Sequence, residues 1–124
     1  MNKGKYPCRG DVWLARFEPK VGQEIGKVRP AVVANENDFA RLNLRIIVPV
    51  TDWKPVYENY PWFIHLTPSD RNGLKKESGA DSFQVKSVSV ERLIRKIGAV
   101  KPREMEEISA GIAMCVGYVK SRAE

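Results

Sequence analysis

The sequence predicts a mainly β fold: a small, strongly bent antiparallel sheet or half-open barrel of five to seven strands, followed by one C-terminal helix. Two observations support this prediction. Short apolar runs separated by turn-forming residues recur from residue 11 to residue 100, and a stripe with helical spacing appears only after them. The chain has 124 residues, a length typical of one domain, so we expect a single domain over residues 1–124.

The first three strands are predicted at residues 11–17, 30–34 and 44–50. The first is rich in β-forming residues and lies between Gly10 and Pro19. The other two are Val- and Ile-rich runs that are too short for typical helices, and a polar turn separates them. We therefore expect both to be central strands, with Pro30 at a strand's first residue.

Three more strands are predicted in the second half of the chain. Residues 52–61 hold two prolines among aromatic and polar residues and form a long loop, after which residues 62–66 alternate as a strand. Residues 82–90 are predicted to be one continuous strand with Phe83 and Val85 on one face and Gln84 and Lys86 on the other. One helical turn at residues 91–93 and a last strand at 94–100 complete the sheet.

A helix is predicted over residues 102–120. Pro102 suits its first turn, and apolar residues then recur at spacings of three and four, which places them on one face. Gly111 and Gly117 each weaken this helix by about 1 kcal/mol relative to Ala, so we expect packing against the sheet or a second subunit to stabilise it. At the other end, residues 1–8 are expected to be a flexible segment. The helical stripe comprises Met105, Ile108, Ile112, Cys115 and Val119.

Composition narrows the classes of function. The net charge of +6 favours polyanionic partners such as nucleic acid. The chain has one histidine, His65, and two distant cysteines, Cys8 and Cys115, so the sequence supports neither a zinc site nor a histidine-rich metal cluster, and we expect no metal and no cofactor. No apolar run approaches the ~20 residues of a membrane helix, and no signal peptide is evident, which predicts a cytoplasmic protein without membrane contact.

The stretch from Gly22 to Thr51 is the strongest candidate for a functional site. A loop bounded by glycines carries Glu24, Lys27 and Arg29 into a short apolar run, and the second apolar run ends in Thr51. This order predicts a carboxylate, a guanidinium and a hydroxyl at the ends of neighbouring strands. Arg29 is the leading candidate of the three.

Four segments in register resemble the MazF/PemK/Kid toxins of bacterial toxin-antitoxin pairs. They are Arg9-Gly10-Asp11-Val12-Trp13, Gly22 to Val33, Val48-Pro49-Val50-Thr51, and Phe83-Gln84-Val85-Lys86-Ser87-Val88. The resemblance extends from about residue 9 to the C-terminal helix. It implies an SH3-like barrel of the MazF/CcdB type and a homodimer. It also implies a sequence-specific, metal-independent endoribonuclease of single-stranded RNA and mRNA, silenced by a cognate antitoxin.

The resemblance also implies a reaction and its residues. The RNA 2'-hydroxyl attacks the adjacent phosphate and leaves a 2',3'-cyclic phosphate and a 5'-hydroxyl, which requires a base, a cation and a proton donor. Arg29 matches the family's loop arginine, Thr51 its threonine, and Glu24 the acidic residue expected to act as base or to orient Arg29. Phe83 stands where several members carry an acidic residue, so Asp81 is the possible substitute acid or base.

RNA-binding residues are expected around this site. Aromatic side chains beside a lysine are typical of base-stacking surfaces, each contributing about 1 to 3 kcal/mol per base, although the same aromatics are equally typical of a loop anchored to the core. Cations near the loop suit phosphate contacts. The predicted set comprises Lys27, Trp53, Lys54, Tyr57, Gln84, Lys86 and Arg16.

Two other functions remain open from the sequence. One is a toxin of the same fold that inhibits gyrase, which would need neither Arg29 nor Thr51. The other is a catalytically weak RNA-binding module, which Phe83 suggests. Detection of RNA cleavage would distinguish the nuclease from both of these alternatives.

Overall fold

The computed structural model describes residues 6–118 of the chain. They include seven strands and one helix, and short 3₁₀ turns fill several of the connections. The prediction of a mainly β fold with a C-terminal helix is confirmed. The elements are β1 Asp11–Arg16, β2 Val28–Val33, β3 Leu44–Asp52, β4 Phe63–Leu66, β5 Ser78–Asp81, β6 Lys86–Ser89, β7 Leu93–Ala99 and α1 Pro102–Cys115.

The longest strand, β3, organises the sheet. One of its edges pairs with β2 at Ala31–Val33, while the other pairs with β6 near its start and with β5 near its end. All pairings are antiparallel, and the strand order is β4-β5-β3-β2-β1-β7 with β6 beside β3. Each strand outside residues 78–90 lies within about two residues of its predicted bounds, a normal margin for element ends.

The bent sheet buries an apolar cluster on each face. Because successive side chains of a strand point to opposite faces, Val32 and Val48 join one cluster while Ala31 and Ile47 join the other. The first cluster is covered by α1 through Met105 and Ile108. The helix therefore packs on the sheet, as its amphipathic stripe requires.

The prediction of one continuous strand at residues 82–90 is wrong. The structure instead has β5, a 3₁₀ turn at Ser82–Gln84 and then β6. The Asp81 carboxylate accepts a hydrogen bond from the backbone N–H of Phe83, which replaces the ladder with a turn. Phe83 and Val85 therefore do not alternate with Gln84 along one strand.

The helix ends earlier than predicted, at Cys115. Gly117 has φ +77°, and the amide of Tyr118 donates to the carbonyl of Ala113, so this glycine terminates the helix rather than only weakening it. Residues 119–120 of the predicted helix lie outside the described residues. So do residues 1–5 of the expected flexible segment, whereas the carbonyl of Pro7 accepts a hydrogen bond from Arg45.

Two glycines allow the β4–β5 connection to close over β7. A Cβ at Gly73 would lie 2.1 Å from the carbonyl oxygen of Ile97, and one at Gly98 would lie 2.4 Å from that of Arg71. Gly73 also has φ +69°, which other residues adopt with strain. The two ends of the sheet thus meet through one loop, and the sheet itself stays open.

Candidate active site

Arg29 and Thr51 meet at the ends of β2 and β3. The register pairs Ala31 with Pro49, and continuing it by two residues on each strand brings Arg29 opposite Thr51. The Arg29 Nη1 donates to the Thr51 Oγ1 at 3.4 Å, and its Nε donates to the carbonyl of Gly26 at 3.1 Å. The guanidinium is therefore oriented by the loop on one side and by the hydroxyl on the other.

The loop before β2 is anchored at both ends. The amide of Phe17 donates to the carbonyl of Lys27 at 2.8 Å, and Lys27 has φ 66°, a conformation that costs about 1 kcal/mol or more outside glycine. Within the same loop, the amide of Ile25 donates to the Oε1 of Gln84 at 2.7 Å. These hydrogen bonds fix the carbonyl of Gly26, which holds Arg29.

Arg29 and Thr51 line a cleft of about 600 Å³ that lies between the ends of β2 and β3, the 73–76 loop and β7. We call it the cationic cleft, because four further cations line it: Lys75, Lys76, Arg95 and Lys96. One acid, Asp52, also lines it and forms an ion pair with Lys76 at 3.7 Å. The residues that line the cleft thus carry an excess of positive charge.

Glu24 lies in a second cavity of about 400 Å³ together with Gln84 and Lys86. Its Oε1 accepts from the amide of Val21 at 2.9 Å, so the carboxylate closes a turn within its own loop. The structure therefore brings Glu24, Gln84 and Lys86 to one cavity, whose lining includes neither Arg29 nor Thr51. The two groups are joined by the loop, since Ile25 donates to Gln84 and the next residue, Gly26, accepts from Arg29. Because the hydrogen bond from Val21 holds the Glu24 carboxylate within its own turn, it does not support the predicted role of Glu24 in orienting Arg29.

Asp81 lies in the interior, with 6% of its surface exposed. Burial raises the pKa of its carboxyl, and hydrogen bonds from the Phe83 amide and from Gln84 oppose that shift only in part. Burial also raises the pKa of the Cys115 thiol, with the nearby Asp81 charge adding to the effect. Asp81 therefore faces the helix, away from the residues that line the cationic cleft.

The predicted aromatic residues belong to a stacked cluster. Trp53 stacks on His65 with ring centroids 4.1 Å apart, and Tyr57 stacks on Phe63 at 3.9 Å. Each ring thus has one face covered by its own protein, which supports the alternative of an anchored loop. Lys54 next to Trp53 is exposed.

Arg16 and Lys27 lie outside both cavities. Arg16 ends β1, its side chain is exposed, and its carbonyl accepts from Arg92. The Lys27 side chain is also exposed. Both therefore stay predicted RNA contacts on the outer surface beside the site.

Sequence reasoning missed the four other cations that line the cleft. They form two basic dipeptides, Lys75-Lys76 and Arg95-Lys96, each next to an apolar residue. Such pairs were visible in the sequence, but only the contact of the 71–73 backbone with β7 brings them to one cleft. Among residues 6–118 no group of three or more His, Cys, Asp or Glu side chains is arranged to hold a metal.

Comparisons with known proteins give this geometry a context. At the sequence level, the chain is 31% identical over 111 residues to endoribonuclease MazF9 of Mycobacterium tuberculosis, covering 86% of this chain and 92% of the relative. It is 26% identical to endoribonuclease MazF of Staphylococcus saprophyticus, covering 88% and 90%. No helix among the described residues is long and apolar enough to span a membrane.

Solved structures show the same fold. MazF from Deinococcus radiodurans aligns with a TM-score of 0.78 at 20% identity, over 90% of this chain and 97% of that one. A mycobacterial endoribonuclease, solved in complex with its cognate antitoxin, aligns at 0.71 and 18% identity, covering 93% and 99%. The family model of the PemK-like, MazF-like toxins matches residues 8–116. The chain therefore belongs to the PemK-like, MazF-like toxins of type II toxin-antitoxin systems.

Proposed function

We propose that the chain is the toxin of such a pair and acts as an endoribonuclease on single-stranded RNA in the cytoplasm. The observation that carries the proposal is the contact of Arg29 with Thr51 at the ends of two paired strands, beside several cations. A guanidinium and a hydroxyl beside each other match the two donors that a phosphodiester needs as charge builds on its oxygens. The endoribonuclease relatives point in the same direction.

The proposed reaction is attack of the RNA 2'-hydroxyl on the neighbouring phosphate. Arg29 binds the non-bridging oxygens with the donors that Gly26 and Thr51 do not occupy. Since Arg29 already donates to the Thr51 oxygen, the Thr51 hydroxyl hydrogen is left to donate to the same phosphate. The bond between phosphorus and the 5'-oxygen breaks as the 2'-oxygen bonds to phosphorus. The 5'-oxygen takes a proton from water, and the products are a 5'-hydroxyl and a 2',3'-cyclic phosphate.

Positive charge at the phosphate comes from Arg29 in this proposal, so cleavage is expected without a metal. The proton of the 2'-hydroxyl needs an acceptor, for which Glu24 is the candidate, on the loop that also holds Arg29 through the carbonyl of Gly26. Asp81 is the weaker candidate because it is buried beneath the helix. Homodimerisation and inhibition by an antitoxin complete the proposal, and the latter is in line with the neighbour solved with its antitoxin.

The test is incubation of the purified protein with a long unstructured RNA in excess EDTA. We expect discrete cuts whose 3' ends carry cyclic phosphate, and mapping them by primer extension reveals the recognised sequence. The Arg29→Ala variant is expected to lose at least ~10²-fold in kcat, as is usual on removal of a charge-stabilising donor. Its fold should be intact, since Arg29 is only half-buried.

Arg41→Ala is the matched control, because it removes the same charge from an exposed position outside the cleft. Wild-type turnover in Arg29→Ala would remove this residue from the mechanism. Intact RNA after incubation with the folded wild-type protein would overturn the nuclease proposal. Gyrase inhibition and RNA binding without cleavage would then be the functions to measure.

A further inference from the structure

Most of the cationic cleft lies on one face of the sheet, whereas the side chains of Arg29 and Thr51, which border it, point to the other face. Leu14 of β1 lies opposite Pro30 of β2 and opposite Arg95 of β7, so these three side chains share a face. Arg29 precedes Pro30 in the same strand and therefore points the opposite way. Thr51 lies opposite Arg29 when the register of β2 and β3 is continued, and it shares that second face. The cleft thus offers a surface distinct from the proposed catalytic pair.

The floor of the cleft continues the apolar face that the helix covers elsewhere. The helix α1 packs on the part of this face near β4 and the 82–84 turn. At the ends of β1, β2 and β7, the 73–76 loop borders the face instead. Exposure along this floor ranges from 1% at Val50 to 46% at Val28. Its side chains, which we call the aliphatic floor, are those of Leu14, Val28, Pro30, Val50, Leu74 and Ile97.

Two cations beside this floor have no acidic partner within the part of the chain that the structure describes. The ion pairs found among residues 6–118 include neither Lys75 nor Arg95, and both side chains are exposed. The one acid that lines the cleft, Asp52, is already paired with Lys76 at 3.7 Å. The uncompensated charge at the cleft is therefore positive, which favours an anion as its ligand.

The chemistry of the lining restricts what accompanies that negative charge. Among the described residues that line the cleft, none is aromatic and none carries a side-chain amide. A nucleotide base is held by stacking on aromatic rings and by hydrogen bonds to its edges, so this lining does not suit a base. Aliphatic side chains instead suit an aliphatic body. The volume of about 600 Å³ lies in the usual range of small-molecule sites.

We propose that the cationic cleft binds a small amphipathic anion, an aliphatic chain that ends in a carboxylate. The chain lies on the aliphatic floor, and the carboxylate lies between Lys75 and Arg95. A free small molecule is favoured over an acidic polypeptide because the contact of Gly73 with the backbone of Ile97 bounds the cleft at one end, which suits a ligand that terminates there. This site is independent of the proposed nuclease function, since RNA is not its ligand.

The test is titration of the isotope-labelled full chain with sodium octanoate, followed by the amide chemical shifts in NMR. We expect the largest shifts at the amides of Leu14, Val28, Leu74 and Ile97. Affinity should increase by about two- to fourfold for each added methylene from hexanoate to decanoate, because each buried methylene adds a similar increment of apolar surface. Acetate has the charge without the chain and octanamide the chain without the charge, so both should bind more weakly than octanoate.

Variants test the two cations and the separation of the two faces. Lys75→Ala/Arg95→Ala is expected to weaken octanoate binding by about three- to tenfold, as is usual for loss of two exposed ion pairs. The matched control is Arg41→Ala/Arg103→Ala, which lowers the net charge equally at two exposed positions outside the cleft and should keep wild-type affinity. Arg29→Ala should also keep wild-type affinity, because its side chain points to the other face.

Four results would overturn the proposal. They are an affinity that does not depend on chain length, equal losses of affinity in the two double variants, a loss in Arg29→Ala as large as that in Lys75→Ala/Arg95→Ala, and tighter binding of adenosine monophosphate than of octanoate at the same amides. The second result would assign binding to net charge, and the fourth would assign the cleft to nucleotides. The titrations contain no RNA, so failure of the nuclease proposal leaves their outcome unchanged, and failure here leaves the nuclease proposal standing.

Discussion

The buried carboxyl of Asp81 links the stability of the fold to pH. Its pKa is raised above the ordinary value of 3.8 mainly because burial disfavours the charged form. The folded protein therefore holds this proton at pH values where the unfolded chain has lost it. As pH rises from about 3.8 through the folded pKa, Asp81 contributes progressively less to stability, and above that pKa the loss is complete.

The Asp81→Asn variant tests this sign. Asparagine keeps the oxygen that accepts from the Phe83 amide and cannot ionise. We expect the free energy of unfolding of the variant, relative to wild type, to increase as pH rises from acid to neutral, measured by urea denaturation at a series of pH values. A difference that is constant with pH would show that Asp81 has the same pKa in both states.

The site residues differ in how far the sequence specifies them. The Arg29–Thr51 contact could be predicted, because both residues end neighbouring strands of an antiparallel pair. Glu24 and Asp81 could not be placed, since the loop's own hydrogen bonds decide where Glu24 points and a local turn directs Asp81 to the interior. The roles of all four residues in catalysis stay predictions.

At the scale of elements, the 82–84 turn connects the helix to the loop that orients Arg29. Ser82 is fully buried, and its hydroxyl donates to the carbonyl of Ile108 in α1. Two residues later, Gln84 accepts from the amide of Ile25 and so holds the loop containing Gly26. The sequence predicts Gln84 as an RNA contact, whereas these hydrogen bonds favour a positioning role.

Gln84→Met is expected to lower kcat by about tenfold or more with little change in KM, because small displacements of a catalytic group have large effects on rate. Gln84→Glu keeps an oxygen that accepts from Ile25 and should restore part of that loss. Steady-state kinetics on an RNA with one cleavage site checks both. A rise in KM with constant kcat would instead support the predicted contact of Gln84 with RNA and contradict the positioning role.

Most elements of the fold could be predicted, because Val- and Ile-rich runs and the turn residues between them are local signals. The error at residues 82–90 has a local cause, the turn closed by Asp81 and Phe83, whereas the formation of β5 before it has a tertiary cause. Gly79 in β5 lies where a Cβ would meet the rings of Phe63 and Trp53 at 3.0 and 3.1 Å, so the aromatic cluster selects a strand of small residues. A sequence with Ser78, Gly79 and Ala80 carries little β propensity, and packing overrides it.

At the scale of the whole molecule, the contact of the 71–73 backbone with β7 joins the two ends of the open sheet. Gly73→Ala adds a Cβ against the carbonyl of Ile97 and strains a positive φ, while Gly22→Ala strains a similar φ of +57° with no atom within 4 Å. We expect Gly73→Ala to cost about 1–3 kcal/mol more than Gly22→Ala in the free energy of unfolding. Urea denaturation of the two variants measures the difference, and equal costs would show that the contact is not tight.

The same contact also protects an edge of the sheet from pairing with another chain. β7 ends the strand order, and the outer edge of such a strand offers unpaired backbone groups to any other chain. Here the amide of Ala99 donates to the carbonyl of Arg71, and the exposed Arg95 and Lys96 place like charges along the rest of the edge. Lifting the loop would uncover a template for strand addition, so the glycine that shapes the cleft also guards against aggregation.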